Sequence, residues 1–290
     1  MSRILLFNAT GAQGNTIANR LLERGDRILA PVRSKTSKIV LEERNITAFL
    51  TDFSTDSLLP LIEQVDQVVL QIPATVAPKT MLNIAQNAIA AIEQAEHPKV
   101  IFVISSTIPA HYTGYPSVDV RLEMVRMALE KLPNTPILSA TEYLENFSTA
   151  FRDTILKDRI IPQTIPADYP VNYLSWEDLA TYVAAALDTD VLLGKVYPIG
   201  GNEGITGKDL AQRLSAVIGK PLTYTPISHN ALKNFLTPIL GVEIAKDYAA
   251  FYAWQDTEGA AMLNPDTTNI RKLLHVKLPS FEQWAMTSFS

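Results

Sequence analysis

The sequence predicts an α/β fold, in which a doubly wound parallel sheet carries a smaller C-terminal α/β lobe. Short apolar runs alternate with amphipathic stretches through the first half of the chain, a pattern typical of β-α-β units. Most of these runs are apolar almost throughout, as in strands that helices cover on both faces. A turn that contains two glycines follows the first run and precedes a helical pattern. These three observations favour a sheet that binds its ligand at the carboxyl ends of the strands.

The first half of the chain supplies the candidate strands and helices of this sheet. The strands are expected at residues 4–7, 27–32, 47–50, 67–72, 100–105 and 137–140. The helices are expected at residues 13–24, 57–64, 78–94 and 118–132. The last helix places four apolar side chains on one face, Val118, Leu122, Val125 and Leu129. Strands joined by such crossovers predict the doubly wound topology.

The second half has a different pattern. Short, proline-rich connections separate helices expected at residues 144–157, 176–187 and 208–218. Ser175 and Thr206 are candidate N-caps of the last two helices. The proline-rich segment 160–170 is the predicted linker. We therefore expect a sheet domain at residues 1–158, to which later strands can return, and a smaller lobe at residues 159–290.

Aromatic residues recur at helical spacing near the end of the chain, at Phe235, Tyr248, Phe251, Tyr252 and Trp254. Aromatic residues in this pattern most often belong to a hydrophobic core. A box for a cofactor or a substrate is the alternative interpretation. The spacing alone leaves both open.

The composition is that of a globular protein, with 47% hydrophobic and 19% charged residues in 290. A net charge of −5 excludes a chain-wide basic footprint, so we expect no direct nucleic-acid partner. Because cysteine is absent, a disulfide scaffold, a thiolate nucleophile and a cysteine-ligated zinc site are excluded. Apolar runs are too short for a secretory signal or a transmembrane helix, so the expected location is the cytoplasm and no membrane partner is expected.

The first predicted strand leads directly into residues 8–14, Asn-Ala-Thr-Gly-Ala-Gln-Gly, and a helix opens behind them. Gly11 and Gly14 keep the spacing of the last two glycines of G-x-x-G-x-x-G, and Asn8 replaces the first. Asparagine tolerates a left-handed backbone better than most residues. A dinucleotide pyrophosphate needs a close backbone and a helix N-terminus aimed at it. The turn therefore predicts a Rossmann-type dinucleotide site with these candidate residues: Asn8, Thr10, Gly11, Ala12, Gln13 and Gly14.

The end of the second predicted strand indicates which dinucleotide binds. An NAD site has an acidic residue about 20 positions past the glycines, for the ribose hydroxyls. No acid occurs between Arg27 and Val40. The segment instead offers positive charge and a hydroxyl to a 2′-phosphate, from Arg33, Ser34, Lys35 and Lys38. A solvated basic turn is the alternative, but after a glycine turn the pattern favours NADP(H).

The sequence resembles the NmrA-like family of atypical short-chain dehydrogenases/reductases. The resemblance lies in residues 8–14, 32–34, 51–53, 103–106, 142–147, 174–180 and 194–201. It implies that NADP(H) binds in the N-terminal lobe and that a small-molecule or sensing site faces the C-terminal lobe. It also implies cofactor contacts beyond the glycine turn, at Asp52 and Phe53 beside the adenine, at Gln71, Ile72 and Pro73 near the nicotinamide ribose, and at Ser105, Tyr143 and Asn146. For Asp52, a role at the start of a helix is the alternative.

The chain departs from the family's relatives at the catalytic position. Ordinary short-chain enzymes use Tyr-x-x-x-Lys, but no lysine occurs between Thr107 and Glu130. The residue that aligns with the lysine of some NmrA-like reductases is Arg121, which binds or orients but does not exchange a proton at neutral pH. A surface cation paired with Asp119 or Glu123 is the alternative. The candidate catalytic residues are Arg121, Ser105 and Tyr112.

Other kinds of chemistry have less support. The four histidines are isolated in the sequence, so no metal site is expected: His97, His111, His229 and His275. Of these, His111 lies in the loop after a predicted strand. It is either a proton donor or a solvent-facing residue, and the pattern is compatible with both. Glu142 and Glu145 are either paired acid/base carboxylates or charges that stabilise a helix start. Ser105 lies in no G-x-S-x-G turn, so a hydrolase nucleophile is not expected.

These residues predict an NADPH-dependent oxidoreductase that transfers a hydride to a small quinone or carbonyl. A quinone suits the missing Tyr–Lys pair, because its reduction leaves a delocalised oxyanion that needs less protonation. The alternative is a non-enzymatic NADP(H) redox sensor that acts through a protein partner. An extended sugar-nucleotide epimerase is a third option, which the missing lysine weakens.

Overall fold

A computed structural model describes residues 1–95 and 98–289 of the chain. Its strands are β1 (Arg3–Leu6), β2 (Arg27–Val32), β3 (Thr47–Leu50), β4 (Gln67–Gln71), β5 (Lys99–Ile104), β6 (Ile137–Ala140), β7 (Ile160–Gln163), β8 (Val196–Ile199) and β9 (Thr223–Pro226). Seven strands form a parallel sheet in the order β3-β2-β1-β4-β5-β6-β8. The order reverses between β1 and β4, which confirms the predicted doubly wound topology.

The helices cover both faces of this sheet. They are α1 (Ala12–Glu23), α2 (Lys35–Glu42), α3 (Thr55–Ile62), α4 (Pro78–Ala95), α5 (Pro116–Lys131), α6 (Glu145–Ser148), α7 (Arg152–Asp158), α8 (Trp176–Leu187), α9 (Gly207–Ile218), α10 (His229–Leu240), α11 (Val242–Gln255), α12 (Thr268–Leu273) and α13 (Phe281–Phe289). On one face, α1 and α8 bury side chains such as Ile17 and Tyr182 against the strands. On the other face, α3, α4 and α5 bury side chains such as Leu58, Ile89 and Met124. Burial on both faces explains why the strands are apolar throughout.

The helix expected at residues 144–157 is two helices in the structure, and the prediction of one is wrong. Helix α6 stops at Ser148, and α7 starts at Arg152. The Thr149 hydroxyl bonds back to the Glu145 carbonyl at 2.6 Å, and the Thr149 backbone leaves the helical region at φ −120° and ψ −84°. Back-bonding of this kind competes with the helical hydrogen bonds and bends the chain.

The expected linker at residues 160–170 begins with a strand. Strand β7 pairs in parallel with β9 and forms a separate two-stranded sheet. Pro162 is compatible with this pairing because a two-stranded sheet has only edge strands. The Tyr224 hydroxyl on β9 donates to the Ile165 carbonyl at 2.7 Å, which fixes the rest of the segment.

The second half of the chain contributes to both parts of the molecule. Strand β8 pairs with β6 and completes the large sheet, and α8 packs beside α1. The smaller lobe has its own core, in which Phe147, Ile161 and Leu210 are buried. Within the described ranges, no helix is long and apolar enough to cross a membrane.

Candidate functional site

The turn between β1 and α1 has the geometry that its sequence predicts. Asn8 adopts a left-handed backbone with φ 59°, and the Gly11 amide donates to the Asn8 carbonyl at 2.9 Å. A Cβ atom at Gly14 would lie 2.1 Å from that same carbonyl oxygen, so only glycine allows α1 to pass this close to the end of β1. Gly11 is the N-cap of α1 and provides no side-chain cap. The first amides of α1 are therefore available to an anion.

A cleft of about 220 Å³ lies beside this turn, and we call it the Arg33 cleft. Its walls include Phe7, Asn8, Thr10, Arg33, Ser37, Phe53, Gln71 and Pro73. The Arg33 guanidinium lies 4.9 Å from the centroid of the Phe53 ring, a cation–π distance. Phe53 itself has a left-handed backbone, φ 62°, three residues after the end of β3. The cleft thus combines an exposed cation with an aromatic face.

Of the basic residues after β2, Arg33 lines this cleft, whereas Lys38 contacts β3 and α2. Ser34 is the N-cap of α2, and its hydroxyl accepts the Ser37 amide at 3.0 Å. Ser37, which sequence reasoning missed, lines the cleft. Lys38 points elsewhere, because its Nζ donates to the Ala48 carbonyl at 3.0 Å and pairs with Glu42 at 3.1 Å. Arg33 is therefore the cation of the cleft.

Asp52 makes its contacts at the start of α3. Its carboxylate accepts the Ser54 amide at 2.9 Å and the Ser57 hydroxyl at 2.7 Å. Hydrogen bonds from Ser54 and then from Ser57 lower the pKa of Asp52 to about 2. These contacts correspond to the helix-start interpretation of Asp52, whereas its neighbour Phe53 lines the cleft.

A polar cluster lies at the carboxyl ends of β4 and β5, next to the start of α1. The Gln13 Oε1 atom accepts the Gln71 amide at 2.6 Å and the Ser105 hydroxyl at 2.6 Å. Within the described residues, Gln71 Oε1 is buried and has no hydrogen-bond partner. The Tyr143 hydroxyl faces Ser105 without a complete hydrogen bond, and burial raises the pKa of Tyr143. Ile72, next to Gln71, belongs to the hydrophobic core.

The turn, the Arg33 cleft and the cluster fit a bound dinucleotide. Buried polar atoms in folded proteins nearly always have partners. Gln71 Oε1 and the Tyr143 hydroxyl are two of the twelve unpartnered buried atoms in the part of the chain described, and these two are both near Ser105. A polar ligand at this edge would complete their hydrogen bonds. Asn146 is not part of the cluster, because its amide donates to Glu142 at 3.1 Å.

A second, smaller space lies among α4, α5 and α11, and we call it the Arg121 cavity. Its volume is about 20 Å³, enough for one water molecule. Its lining residues include Ala74, Ser117, Arg121, Asp247, Tyr248 and Phe251. Because Pro73 lines the Arg33 cleft and Ala74 lines this cavity, the two spaces are neighbours.

Arg121 is buried, with 7% of its surface exposed. Its guanidinium lies 4.4 Å from the centroid of the Phe251 ring and donates to the Ser117 carbonyl. The proposed surface partner Asp119 instead accepts the backbone amides of Thr113 and Gly114, at 2.6 and 2.9 Å. Burial lowers the pKa of Arg121 to about 10, so the side chain stays charged at neutral pH. None of the ion pairs among the described residues includes Arg121.

Tyr112 and His111 lie on the exposed loop before α5. Tyr112 is 56% exposed and its ring lies 4.8 Å from the Arg126 guanidinium. Neither residue lines the Arg33 cleft or the Arg121 cavity. The structure therefore places Ser105 in the polar cluster and Arg121 beside the neighbouring cavity, and it places Tyr112 at neither.

Glu142 and Glu145 face different helices. Glu142 is buried and accepts hydrogen bonds from Gln255 at 2.8 Å and from Tyr252 at 3.1 Å, both on α11. Glu145 accepts the Trp284 indole of α13 at 3.2 Å. Burial raises the pKa of both carboxyls, that of Glu145 to about 7. Glu142 precedes α6 and contacts α11, whereas Glu145 begins α6 and contacts α13. The two carboxyls do not share a partner.

One histidine has an acidic partner that the sequence did not reveal. His229 Nε2 lies 2.8 Å from the Asp256 carboxylate, which comes from the end of α11. Within residues 1–95 and 98–289, no three His, Cys, Asp or Glu side chains converge as metal ligands would. His97 lies outside the described residues.

The sequence matches the NmrA-like family over residues 1–285. The chain belongs to this family. It is 22% identical to the photosystem II assembly factor Ycf39 of Synechocystis, over 87% of this chain and 76% of that protein.

Two solved structures share this NmrA-like fold over nearly the whole chain. A nucleoside-diphosphate-sugar epimerase from Staphylococcus aureus superposes with a TM-score of 0.81 at 18% identity, over 99% of this chain and 100% of that one. An NADPH-dependent quinone oxidoreductase from Escherichia coli, in complex with NADPH, superposes with a TM-score of 0.78 at 20% identity, again over 99% and 100%. At these identities the likeness establishes the fold.

Proposed function

We propose that this protein binds NADP(H) and is a cytoplasmic oxidoreductase that reduces a small quinone or carbonyl. One observation carries the proposal: the Arg33 cleft, with its cation over an aromatic ring, leads to a polar cluster with an unpartnered buried oxygen among the described residues, at Gln71. A related fold in the Escherichia coli quinone oxidoreductase holds NADPH. The family and the geometry both support the proposal.

Different residues of the chain would bind different parts of the cofactor. The amides at the start of α1, beyond Gly11, would hold the pyrophosphate. Arg33 and Ser37 would hold the 2′-phosphate, because a guanidinium and a hydroxyl match its oxygens. Phe53 would pack against the adenine. Gln71 would supply its free Oε1 to the nicotinamide ribose.

The cofactor supplies the hydride, and the protein supplies position and an electrostatic field. Arg121 is a buried cation beside the cavity that neighbours the Arg33 cleft, and it has no carboxylate partner among the described ion pairs. A fixed cation in a water-poor site stabilises an oxyanion more strongly than the same cation in water. This arrangement suits a quinone or carbonyl oxygen that becomes negative during reduction.

The direct test measures NADPH oxidation by the purified protein with a panel of quinones and aldehydes. We expect turnover with at least one quinone, and tighter binding of NADPH than of NADH by calorimetry. Equal affinity for the two cofactors would contradict the role of Arg33. Tight NADPH binding without any turnover would contradict the reductase and leave the cofactor site intact.

One observation favours a second candidate function. The Arg121 cavity holds about 20 Å³, so a ring-shaped acceptor enters only if α11 moves away from α5. A site that is closed behind the cofactor suits a redox sensor, in which NADP⁺ and NADPH change a surface that a protein partner recognises. The relative from Synechocystis is an assembly factor. Capture of a partner from a lysate that differs between the NADP⁺-loaded and NADPH-loaded protein, without turnover, would support this candidate.

A further inference from the structure

The two walls of the Arg121 cavity carry different kinds of polar group. On α5, Ser117 and Arg121 are four residues apart and therefore share a helix face. The Ser117 hydroxyl is buried and has no hydrogen-bond partner in the described part of the chain. A proton-donating phenol is missing from this wall, because Ser117 occupies the position four residues before the cation.

The opposite wall supplies a phenol from another part of the chain. Tyr248 on α11 lines the same cavity as Arg121, and Phe251 on the next turn lies under the guanidinium at 4.4 Å. The contact between Arg121 and Phe251 therefore holds α11 against α5 with Tyr248 beside the cation. The acidic groups near this wall are Asp247, which lines the cavity, and the buried Glu142.

We propose that Tyr248 is the general acid of this site and that Arg121 stabilises the phenolate that remains. The inference rests on the proposed function. A C–H bond of the reduced nicotinamide would break as its hydride forms a C–H bond at the acceptor carbon, and the C=O π pair would move to the oxygen. The Tyr248 O–H bond breaks and an O–H bond forms on the acceptor, which is reduced while the nicotinamide is oxidised. A proton taken up from the solvent then binds the Tyr248 phenolate and restores the phenol, so one solvent proton is consumed in each turnover.

The electrostatics of the wall support this assignment. Burial raises the pKa of Tyr248 and Glu142 raises it further, whereas the Arg121 charge lowers it. The phenol is thus neutral and proton-bearing at neutral pH, and the guanidinium is the group that makes its ionisation less costly. Because α11 carries the donor and the cavity holds about 20 Å³, an acceptor reaches Tyr248 only if α11 moves away from α5 to admit it.

Tyr248→Phe tests the assignment, with Tyr115→Phe as the matched control. Tyr115 is an exposed tyrosine at the start of α5, so its hydroxyl should not matter. We expect Tyr248→Phe to lower kcat for aldehydes by about 10²-fold, the scale of a general acid. The loss should be smaller for quinones, whose oxyanion is delocalised. The dissociation constant for NADPH should stay within about twofold, because Tyr248 lies outside the Arg33 cleft.

A second readout does not depend on activity. In protein labelled with ¹³C at the tyrosine Cζ, the Tyr248 resonance is assigned by its loss in Tyr248→Phe. We expect it to titrate before the far-UV spectrum changes, and Arg121→Met to raise its midpoint by roughly one unit or more. A wild-type resonance that does not titrate in that range, or an unchanged midpoint in Arg121→Met, overturns the pairing.

The outcomes separate this inference from the proposed function. Turnover in the wild type that survives in Tyr248→Phe overturns the acid role and leaves the reductase intact. Lack of turnover in the wild type overturns the reductase and the acid role together. Equal losses in Tyr248→Phe and Tyr115→Phe would show a general effect of the substitutions and would also overturn the acid role.

Discussion

The Arg33 cleft and the Arg121 cavity contain the same pair of groups in opposite surroundings. In each, a guanidinium lies over a phenylalanine ring, at 4.9 Å from Phe53 and at 4.4 Å from Phe251. Arg33 is exposed in an open cleft of about 220 Å³, whereas Arg121 is buried beside a cavity of about 20 Å³. A hydrated guanidinium can exchange its water for a phosphate. A buried guanidinium acts through a low dielectric, where a single charge has a larger effect on a neighbouring reaction.

The two places also differ in how the chain builds them. The lining of the Arg33 cleft comes from residues 7–84, so a continuous stretch of chain forms it. The Arg121 cavity combines residues 74–121 with residues 244–251 of α11. The proposed cofactor site is therefore built by the first strands and their turns. The proposed reacting side depends on how the C-terminal lobe is placed.

The largest effect is expected at the turn below the Arg33 cleft. In Gly14→Val, the side chain would collide with the Asn8 carbonyl, since even a Cβ atom would lie 2.1 Å from it. We expect a loss of roughly 3 kcal/mol in the free energy of unfolding, at the upper end for overpacking, together with loss of NADPH binding. Urea unfolding and calorimetry measure the two effects. Ala12→Ser, on the exposed first residue of α1, is the stability control. Wild-type stability in Gly14→Val would mean that α1 does not approach β1 this closely.

Arg121→Met separates the functional role of the buried cation from a structural one. We expect kcat for quinone reduction to fall by about 10²-fold while NADPH affinity is retained. The free energy of unfolding should change by less than about 1 kcal/mol, because a buried charge without a carboxylate partner contributes little net stability. Arg126→Met, on the exposed face of α5, is the matched control. Large destabilisation with unchanged turnover of the folded fraction would assign Arg121 a structural role.

Arg33→Ala tests the exposed cation of the pair. The substitution should weaken NADPH binding by about 2 kcal/mol, the scale of a charge-assisted contact, and leave NADH binding nearly unchanged. Lys38→Ala provides the comparison, because Lys38 is bonded to Ala48 and Glu42 and does not line the cleft. If both variants lose the same NADPH affinity, the region acts as a diffuse basic surface.

The smallest effect concerns pH. Glu145, in the lobe that positions α11, has a pKa of about 7 against an ordinary 4.5, mainly because it is buried. The folded state thus holds a proton that the unfolded state releases, so this contribution to stability is lost as pH rises from about 4.5 to about 7. Nearby Asp178, with a pKa of about 6, titrates in the same range and keeps part of the decline in stability. Glu145→Gln should therefore remove only about 1 kcal/mol of the decline, measured by urea unfolding over a series of pH values. Glu130→Gln, on the surface of α5, should leave the decline unchanged. A steeper decline in Glu145→Gln would mean that folding does not raise the pKa of Glu145.

Sequence reasoning succeeded where the determinants are local. The apolar runs specify the sheet, and the left-handed Asn8 could be foreseen because its position in the turn requires φ above zero. Helix α2 was missed because it is only eight residues long and exposes Ile39 and Val40, so that Leu41 is its buried apolar side chain, and Ser37 was missed with it. The contact between Arg121 and Tyr248's helix joins segments far apart in the chain, and no local pattern encodes such a contact.

The position of β8 has a practical consequence for dividing the protein. A fragment ending at residue 158 would lose the partner of β6, whose Ile137 and Leu138 pair with Val196 and Tyr197. Strand β6 would then present a bare edge of unsatisfied amides and carbonyls beside apolar side chains, a template for association with other chains. Such a fragment is expected to aggregate even if its cofactor turn is intact. A soluble cofactor-binding piece would have to retain α8 and β8, and therefore most of the chain through Ile199.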